Sequence, residues 1–111
     1  MSNFALDGAL LTEEPVRLTD NTVTNVFTAK GATPISSIIV AANSGTPTFT
    51  LFKVDASGTS RTLWSGTAPY IFAEYFSLAD GQSIKCQSGD AAGKLDVHVT
   101  RGAPGAARLR A

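Results

Sequence analysis

The chain has 111 residues, which is enough for one domain with a two-layer core and excludes a second, separately packed domain. Nine basic residues balance nine acidic residues, so no net positive field favours nonspecific binding to nucleic acid. Hydrophobic residues make up 43% and charged residues only 16%. This low charged fraction fits either a compact β-protein with a Ser- and Thr-rich surface or a surface that contacts other proteins.

The charges are unevenly distributed along the chain. Before residue 21, a single base, Arg17, accompanies four acids: Asp7, Glu13, Glu14 and Asp20. Only bases follow residue 100: Arg101, Arg108 and Arg110. The two ends could therefore pair with each other or with the ends of a neighbouring copy. Exposed ion pairs of this kind contribute about 0–1 kcal/mol each.

The sequence predicts a protein without disulfides that is made and assembled in a cytoplasm. Residues 1–4 contain no basic residue, and no apolar run approaches the length of a membrane span, so neither a signal peptide nor a membrane partner is expected. The single cysteine, Cys86, has no partner in the chain. We expect it at an inward strand position beside Ile84, as a small buried hydrophobe rather than a reactive thiol.

Taken in chain order, residues 1–14 show little periodicity and are predicted to form an extended N-terminal arm. Pro15 opens the folded region, 15–101. There, apolar runs between turn signals predict about eight strands: 16–18, 23–29, 34–43, 48–55, 60–64, 70–76, 83–87 and 95–100. Short strands at this spacing predict an all-β fold, a single antiparallel β-sandwich that is jelly-roll-like or immunoglobulin-like. Residues 102–111, rich in Pro, Gly and Ala, are predicted to form a C-terminal tail.

Two of these strands carry apolar residues on both faces. Phe49 and Leu51 share one face of their strand, while Phe52 and Val54 share the other, and residues 38–40 likewise load both faces. A β-bulge or a central strand covered on both sides would explain the pattern. A contact between Phe52 and a neighbouring subunit is the alternative.

The segment 64–76 holds more than half of the nine aromatic residues. They are Trp64, Tyr70, Phe72, Tyr75 and Phe76. Aromatic side chains are frequent in interface hot spots but fill sandwich cores equally well, and we expect most of these in the core. A carbohydrate-binding adhesion module is the alternative of another class. It would need Trp64, Tyr70 or Tyr75 to form a coplanar exposed platform.

The residues offer little that could carry out catalysis or hold a cofactor. One histidine and one cysteine cannot supply a zinc or iron site, and the aspartates are not spaced as in a calcium loop. His98 and Asp96 lie two residues apart on the outward face of the last strand, at a spacing of about 7 Å. No third partner is evident, so a solvated strand face explains both. The sequence therefore predicts no catalytic residue, no metal, no cofactor and no enzyme activity.

The motifs follow one another in an order that resembles a known family. Residues 26–35 (VFTAKGATPI) contain a glycine turn, and they lead to the apolar segment 38–43 (IIVAAN) and the segment 49–54 (FTLFKV). Residues 78–100 then form a hairpin in which an Asp80-Gly81 turn precedes two alternating strands. Over roughly residues 22–101, this order resembles the small β-sandwich modules that recur in tailed-phage virion proteins.

The resemblance implies a structural role in a phage particle, because such modules occur in head decoration, neck and tail-fibre proteins. Our first hypothesis is a capsid decoration (cement) protein, located in the virion, that binds and stabilises the major capsid protein lattice as a homo-oligomer, with a trimer as the first assumption. A neck, tail or fibre-attachment protein built on the same module is the alternative. The predicted partner-binding residues lie at the two ends: Phe4, Leu6, Leu10, Leu11, Arg108, Leu109 and Arg110.

Overall fold

Two antiparallel sheets face each other in the computed structural model, which describes residues 10–102. The described residues form ten strands and no helix, so the predicted all-β sandwich is confirmed. The strands are β1 Leu10–Thr12, β2 Val16–Leu18, β3 Thr24–Thr28, β4 Thr33–Ala42, β5 Thr48–Val54, β6 Ser60–Thr67, β7 Tyr70–Phe72, β8 Phe76–Leu78, β9 Ser83–Ser88 and β10 Leu95–Gly102.

Long strands form the centre of the first sheet, and short strands form its edges. In this sheet, called sheet A, β10 pairs with β4. β2 and β1 lie one after the other along the outer edge of β10, and β7 and β8 do the same along β4. The second sheet, sheet B, has the strand order β3-β9-β5-β6.

Each edge of sheet A is interrupted by one extra residue. Residues 13–15 face only residues 98–99 of β10, and residues 73–75 face only residues 36–37 of β4. An extra residue cannot stay in the ladder, so the edge strand breaks there. The single strand predicted over residues 70–76 is therefore wrong: this segment contributes to two strands, β7 and β8.

The core between the sheets is built from alternate residues of the central strands. Leu95, Val97 and Val99 of β10 are fully buried, as their alternation predicts. Ile84 and Cys86 of β9, in sheet B, are also fully buried, which confirms the inward position predicted for Cys86. Each large apolar side chain buried in this way contributes about 1.5–3 kcal/mol.

β5 carries apolar residues on both faces and pairs with a strand on each side. β5 lies between β9 and β6, and its register with β6 shifts between Leu51 and Phe52. The extra residue in this shift, Leu63, lies on β6, while β5 pairs with β9 without a shift. β5 itself is therefore not bulged and is a central strand of sheet B. Leu51 is fully buried in the core and Phe52 is half-buried.

The turn between β9 and β10 closes against the end of β2. Gly93 has a φ of +76°, and a Cβ at this position would overlap the backbone carbonyl of Leu18. The Ser88 hydroxyl donates a hydrogen bond to the Gly93 carbonyl at 2.7 Å, and the Asp90 carboxylate accepts one from the Ala92 amide at 2.8 Å. A residue without a side chain is required where the turn touches β2.

Candidate interaction surfaces

Two of the predicted partner-binding residues, Leu10 and Leu11, lie on β1. This strand pairs with the last three residues of β10, so residues 10–12 of the predicted arm lie in sheet A. Leu10 is 57% exposed and Leu11 is 45% exposed. The other five predicted residues lie outside the described part of the chain: Phe4, Leu6, Arg108, Leu109 and Arg110. The boundaries predicted for the arm, the sandwich and the tail stay predictions.

A charged cluster fastens the end of β1 to both sheets. The Glu13 amide donates to the Val99 carbonyl at 2.8 Å, and the Arg101 guanidinium donates to the Glu13 carboxylate at 2.7 Å. The same guanidinium lies over the Phe27 ring of β3, 5.4 Å from its centroid. Arg101 therefore connects β1 and β10 of sheet A to the edge strand of sheet B.

This cluster borders a pocket of about 300 Å³. The pocket is lined by Glu13, Phe27, Thr28, Lys30, Thr33 and Arg101. Two cations and one carboxylate thus meet beside an aromatic ring. Among the described residues that line the pocket, Glu13 is the one acidic residue. It lies directly after β1.

The outer face of sheet A carries the His98–Asp96 pair. Arg17 of β2 donates two hydrogen bonds to the Asp96 carboxylate, at 2.8 and 3.2 Å. These bonds hold the pKa of Asp96 below its ordinary value and raise the pKa of Arg17. The Asp96 carboxylate thus forms an ion pair with Arg17. Asp96 lies within β10, whereas the carboxylates of Asp80 and Asp90 accept hydrogen bonds from backbone N–H groups.

The same face continues as an apolar row across three strands. His98 pairs directly with Ile39 of β4, and Ile39 pairs directly with Ile71 of β7. Residues opposite each other in a sheet share a face. Ile71 is 60% exposed, and Tyr75, in the loop that follows β7, is 66% exposed. Ile39 and Ile71 thus add apolar surface to this face of sheet A.

The aromatic residues close one side of the sandwich. Trp64 of β6 stacks on Tyr70 of β7, with 5.7 Å between centroids and 10° between planes, and Phe49 lies 5.8 Å from Tyr70. A stacked pair uses a face of each ring for the other ring. Trp64 and Tyr70 therefore do not form the coplanar platform on which the sugar-binding alternative depends.

The described residues contain no group of three or more His, Cys, Asp or Glu side chains that could hold a metal ion. Burial raises the pKa of the Cys86 thiol to about 12. A thiol with so high a pKa is almost entirely protonated at neutral pH and is a poor nucleophile. Within residues 10–102, no helix is long and apolar enough to cross a membrane.

Comparisons with known proteins identify relatives in structure only. No protein-family model matches the sequence, and neither does any curated protein. Two phage-derived proteins share the fold. The SPBc2 prophage-derived protein YomS is 11% identical, with a TM-score of 0.53 over 86% of this chain and 94% of YomS. A pentameric capsid protein from metagenomic phage sequences is 14% identical, with a TM-score of 0.50 over 87% of this chain and 66% of that protein.

These similarities support the predicted resemblance at the level of the fold. They leave open which type of virion module the chain represents. The sequence interpretation missed Ile71 as an exposed residue and did not single out Ile39. The available signal was that residues 38–40 are apolar on both strand faces, because a strand covered on one face has no need of Ile39 on the other.

Proposed function

We propose that the chain is a structural protein of a phage virion and that it acts there as a capsid decoration protein, binding and stabilising the lattice of the major capsid protein. The observation that carries the proposal is the fold shared with a prophage-derived protein and with a phage capsid protein. The exposed apolar side chains of the described residues, among them Leu10, Leu11 and Ile71, fit an adhesive role.

The proposed mechanism is adhesion between subunits. Exposed leucines at β1, together with Phe4, Leu6, Arg108, Leu109 and Arg110 at the two ends, would bridge neighbouring subunits of the lattice. A specific contact of this kind buries on the order of 1,000 Å² or more. Repeated over many copies on one shell, such contacts would reinforce the shell through avidity. We further propose that the protein is a homo-oligomer, whose stoichiometry native mass spectrometry would measure.

Copy number in purified virions tests the placement. Quantitative mass spectrometry against the major capsid protein should give on the order of hundreds of copies per particle for a decoration protein, because the lattice repeats its binding site. About a dozen copies or fewer would instead favour the neck, tail or fibre-attachment alternative, where a symmetric ring sets the number. Absence from the virion would contradict both.

The contribution of the ends can be tested on purified capsids by co-sedimentation. Deletion of residues 1–9 removes Phe4 and Leu6 but leaves β1 and the Glu13–Arg101 pair in place. Deletion of residues 103–111 removes the basic tail. We expect each deletion to weaken attachment while the sandwich stays folded. Val23→Ala, which shortens a side chain 49% exposed before β3, is the matched control and should bind normally. Undiminished binding by both deletion variants would contradict the assignment of the ends.

A further inference from the structure

The edge of β10 is divided between two short strands that differ in how firmly they are held. β2 inserts Leu18, which is 1% exposed, into the core. β1 leaves Leu10 and Leu11 about half exposed and adds one side-chain contact in the ladder, between the Thr12 and Thr100 hydroxyls at 3.3 Å. A strand that buries so little apolar surface opens locally at low free-energy cost.

A short segment, residues 13–15, connects β1 to β2. The ladder is interrupted where residues 13–15 face residues 98–99. Pro15 has no backbone N–H to donate across this gap, so the bond from the Glu13 amide to the Val99 carbonyl is the one nearest the gap that opens together with β1. The segment up to Glu13 can therefore leave β10 by rotation around residues 14–15, without displacing β2.

The slot left by β1 has a defined charge requirement. Without Glu13, Arg101 and Lys30 would line the pocket with no acid among its described lining residues. An incoming strand balances these cations when it places a carboxylate one residue beyond the three that pair with Thr100–Gly102. The β1 segment of a second copy meets this requirement at the same register, because it is the same sequence.

We propose that β1 is an exchangeable strand that docks on β10 of a second copy of this chain, so that Glu13 of the partner subunit pairs with Arg101. Exchange of an identical element reproduces every contact made within one copy and links two copies at little cost. It also brings the exposed leucines of β1 onto a neighbouring subunit. This inference concerns the free protein and stands whether or not the protein decorates a capsid.

Complementary charge reversals test the exchange. In the Glu13→Arg chain and in the Arg101→Glu chain, the residues at positions 13 and 101 repel each other within one copy and within a homo-oligomer. In a 1:1 mixture, docking between unlike chains restores opposite charges at both sites. We expect native mass spectrometry of the co-refolded mixture to show mixed oligomers well above the statistical fraction. Mixed oligomers at or below that fraction would overturn the proposal.

Disulfide trapping provides a second test that does not depend on charge. Thr12→Cys with Thr100→Cys joins β1 to β10, at an opposite pair whose Cα separation of about 4.5 Å allows a disulfide. Unlabelled and ¹⁵N-labelled chains are mixed, refolded together and oxidised. Mass spectrometry then shows whether each cross-linked peptide pair comes from one chain or from two. Complete exchange would make about half of the cross-links mixed.

The matched control is Arg17→Cys with Asp96→Cys, which joins β2 to the same strand at another directly opposite pair. We expect this cross-link to form within single chains. A mixed fraction at positions 12 and 100 that exceeds the fraction at positions 17 and 96 supports the exchange. Equal fractions at the two sites, or cross-links within single chains only, would overturn it.

Discussion

The two halves of the β10 edge contrast an anchored strand with a docked one. Both β1 and β2 are three residues long, and both pair antiparallel with β10. β2 is held by a core leucine, by the Arg17–Asp96 ion pair and by the turn at Gly93, which closes on its last carbonyl. β1 is held by backbone pairing and by Glu13. Backbone pairing and one ion pair thus hold β1 in place, whereas β2 is also held by side-chain burial.

The largest expected effect comes from removing the anchor of β2. Leu18→Ala should lower the free energy of unfolding by about 2–5 kcal/mol, because it leaves a cavity at a side chain that is 1% exposed. The matched change on β1, Leu11→Ala, should alter it by no more than about 0.5 kcal/mol. Urea unfolding of both variants checks the contrast. Equal losses would show that β1 is an anchor as well.

The next largest effect concerns the turn behind β2. Gly93→Ala should cost about 2–4 kcal/mol, since the new Cβ would meet the Leu18 carbonyl in a backbone conformation that already disfavours a side chain. Gly58→Ala is the control, with a φ of +97° and no atom within 4 Å of the new Cβ. It should cost only about 1–2 kcal/mol. Thermal unfolding that ranks the two variants equally would contradict the close approach at β2.

A smaller effect is expected for the fastening of β1. Glu13→Gln removes the ion pair with Arg101 and should change global stability by about 0–1 kcal/mol. Amide exchange at residue 13, whose N–H bonds to Val99, should quicken by up to about fivefold, while exchange in β2 stays unchanged. Faster exchange in both strands would show that they open as one unit.

The smallest effect is the pH dependence of the β2 ion pair. The hydrogen bonds from Arg17 lower the pKa of Asp96 below its ordinary value of 3.8. At pH values above 3.8 the ion pair therefore contributes its full stabilisation. This stabilisation is lost as the pH falls through the lowered pKa that Asp96 has in the folded protein. Arg17→Gln should raise the Asp96 pKa in an NMR titration. The free energy of unfolding of Arg17→Gln should be lower than that of the wild type at about pH 7, and the difference should vanish at strongly acidic pH. A difference independent of pH would contradict this cause.

Local alternation was sufficient to predict the central strands. The pattern of Leu95, Val97 and Val99 predicts an inward row, and these three side chains are fully buried. The inward position of Cys86 follows from the same reasoning. A period of two is a property of the backbone itself, so it can be read without knowledge of the partner strand.

Other features of the edges of sheet A could not be predicted in the same way, because they depend on which strand lies opposite. The break between β7 and β8 arises from one extra residue facing residues 36–37 of β4. Residues 10–12 have no alternation of their own and become a strand only by pairing with β10. The stacking of Trp64 on Tyr70 likewise depends on where two different sheets meet. None of these pairings is encoded in a short sequence window.

A cryo-electron microscopy map of the intact virion tests the proposed role most directly. We expect density for this sandwich on the outer surface of the head, repeated with the capsid lattice, with the β1 edge against a neighbouring subunit. Density confined to the neck or tail would exclude a decoration protein. A virion that lacks the sandwich altogether would contradict a structural role in the particle.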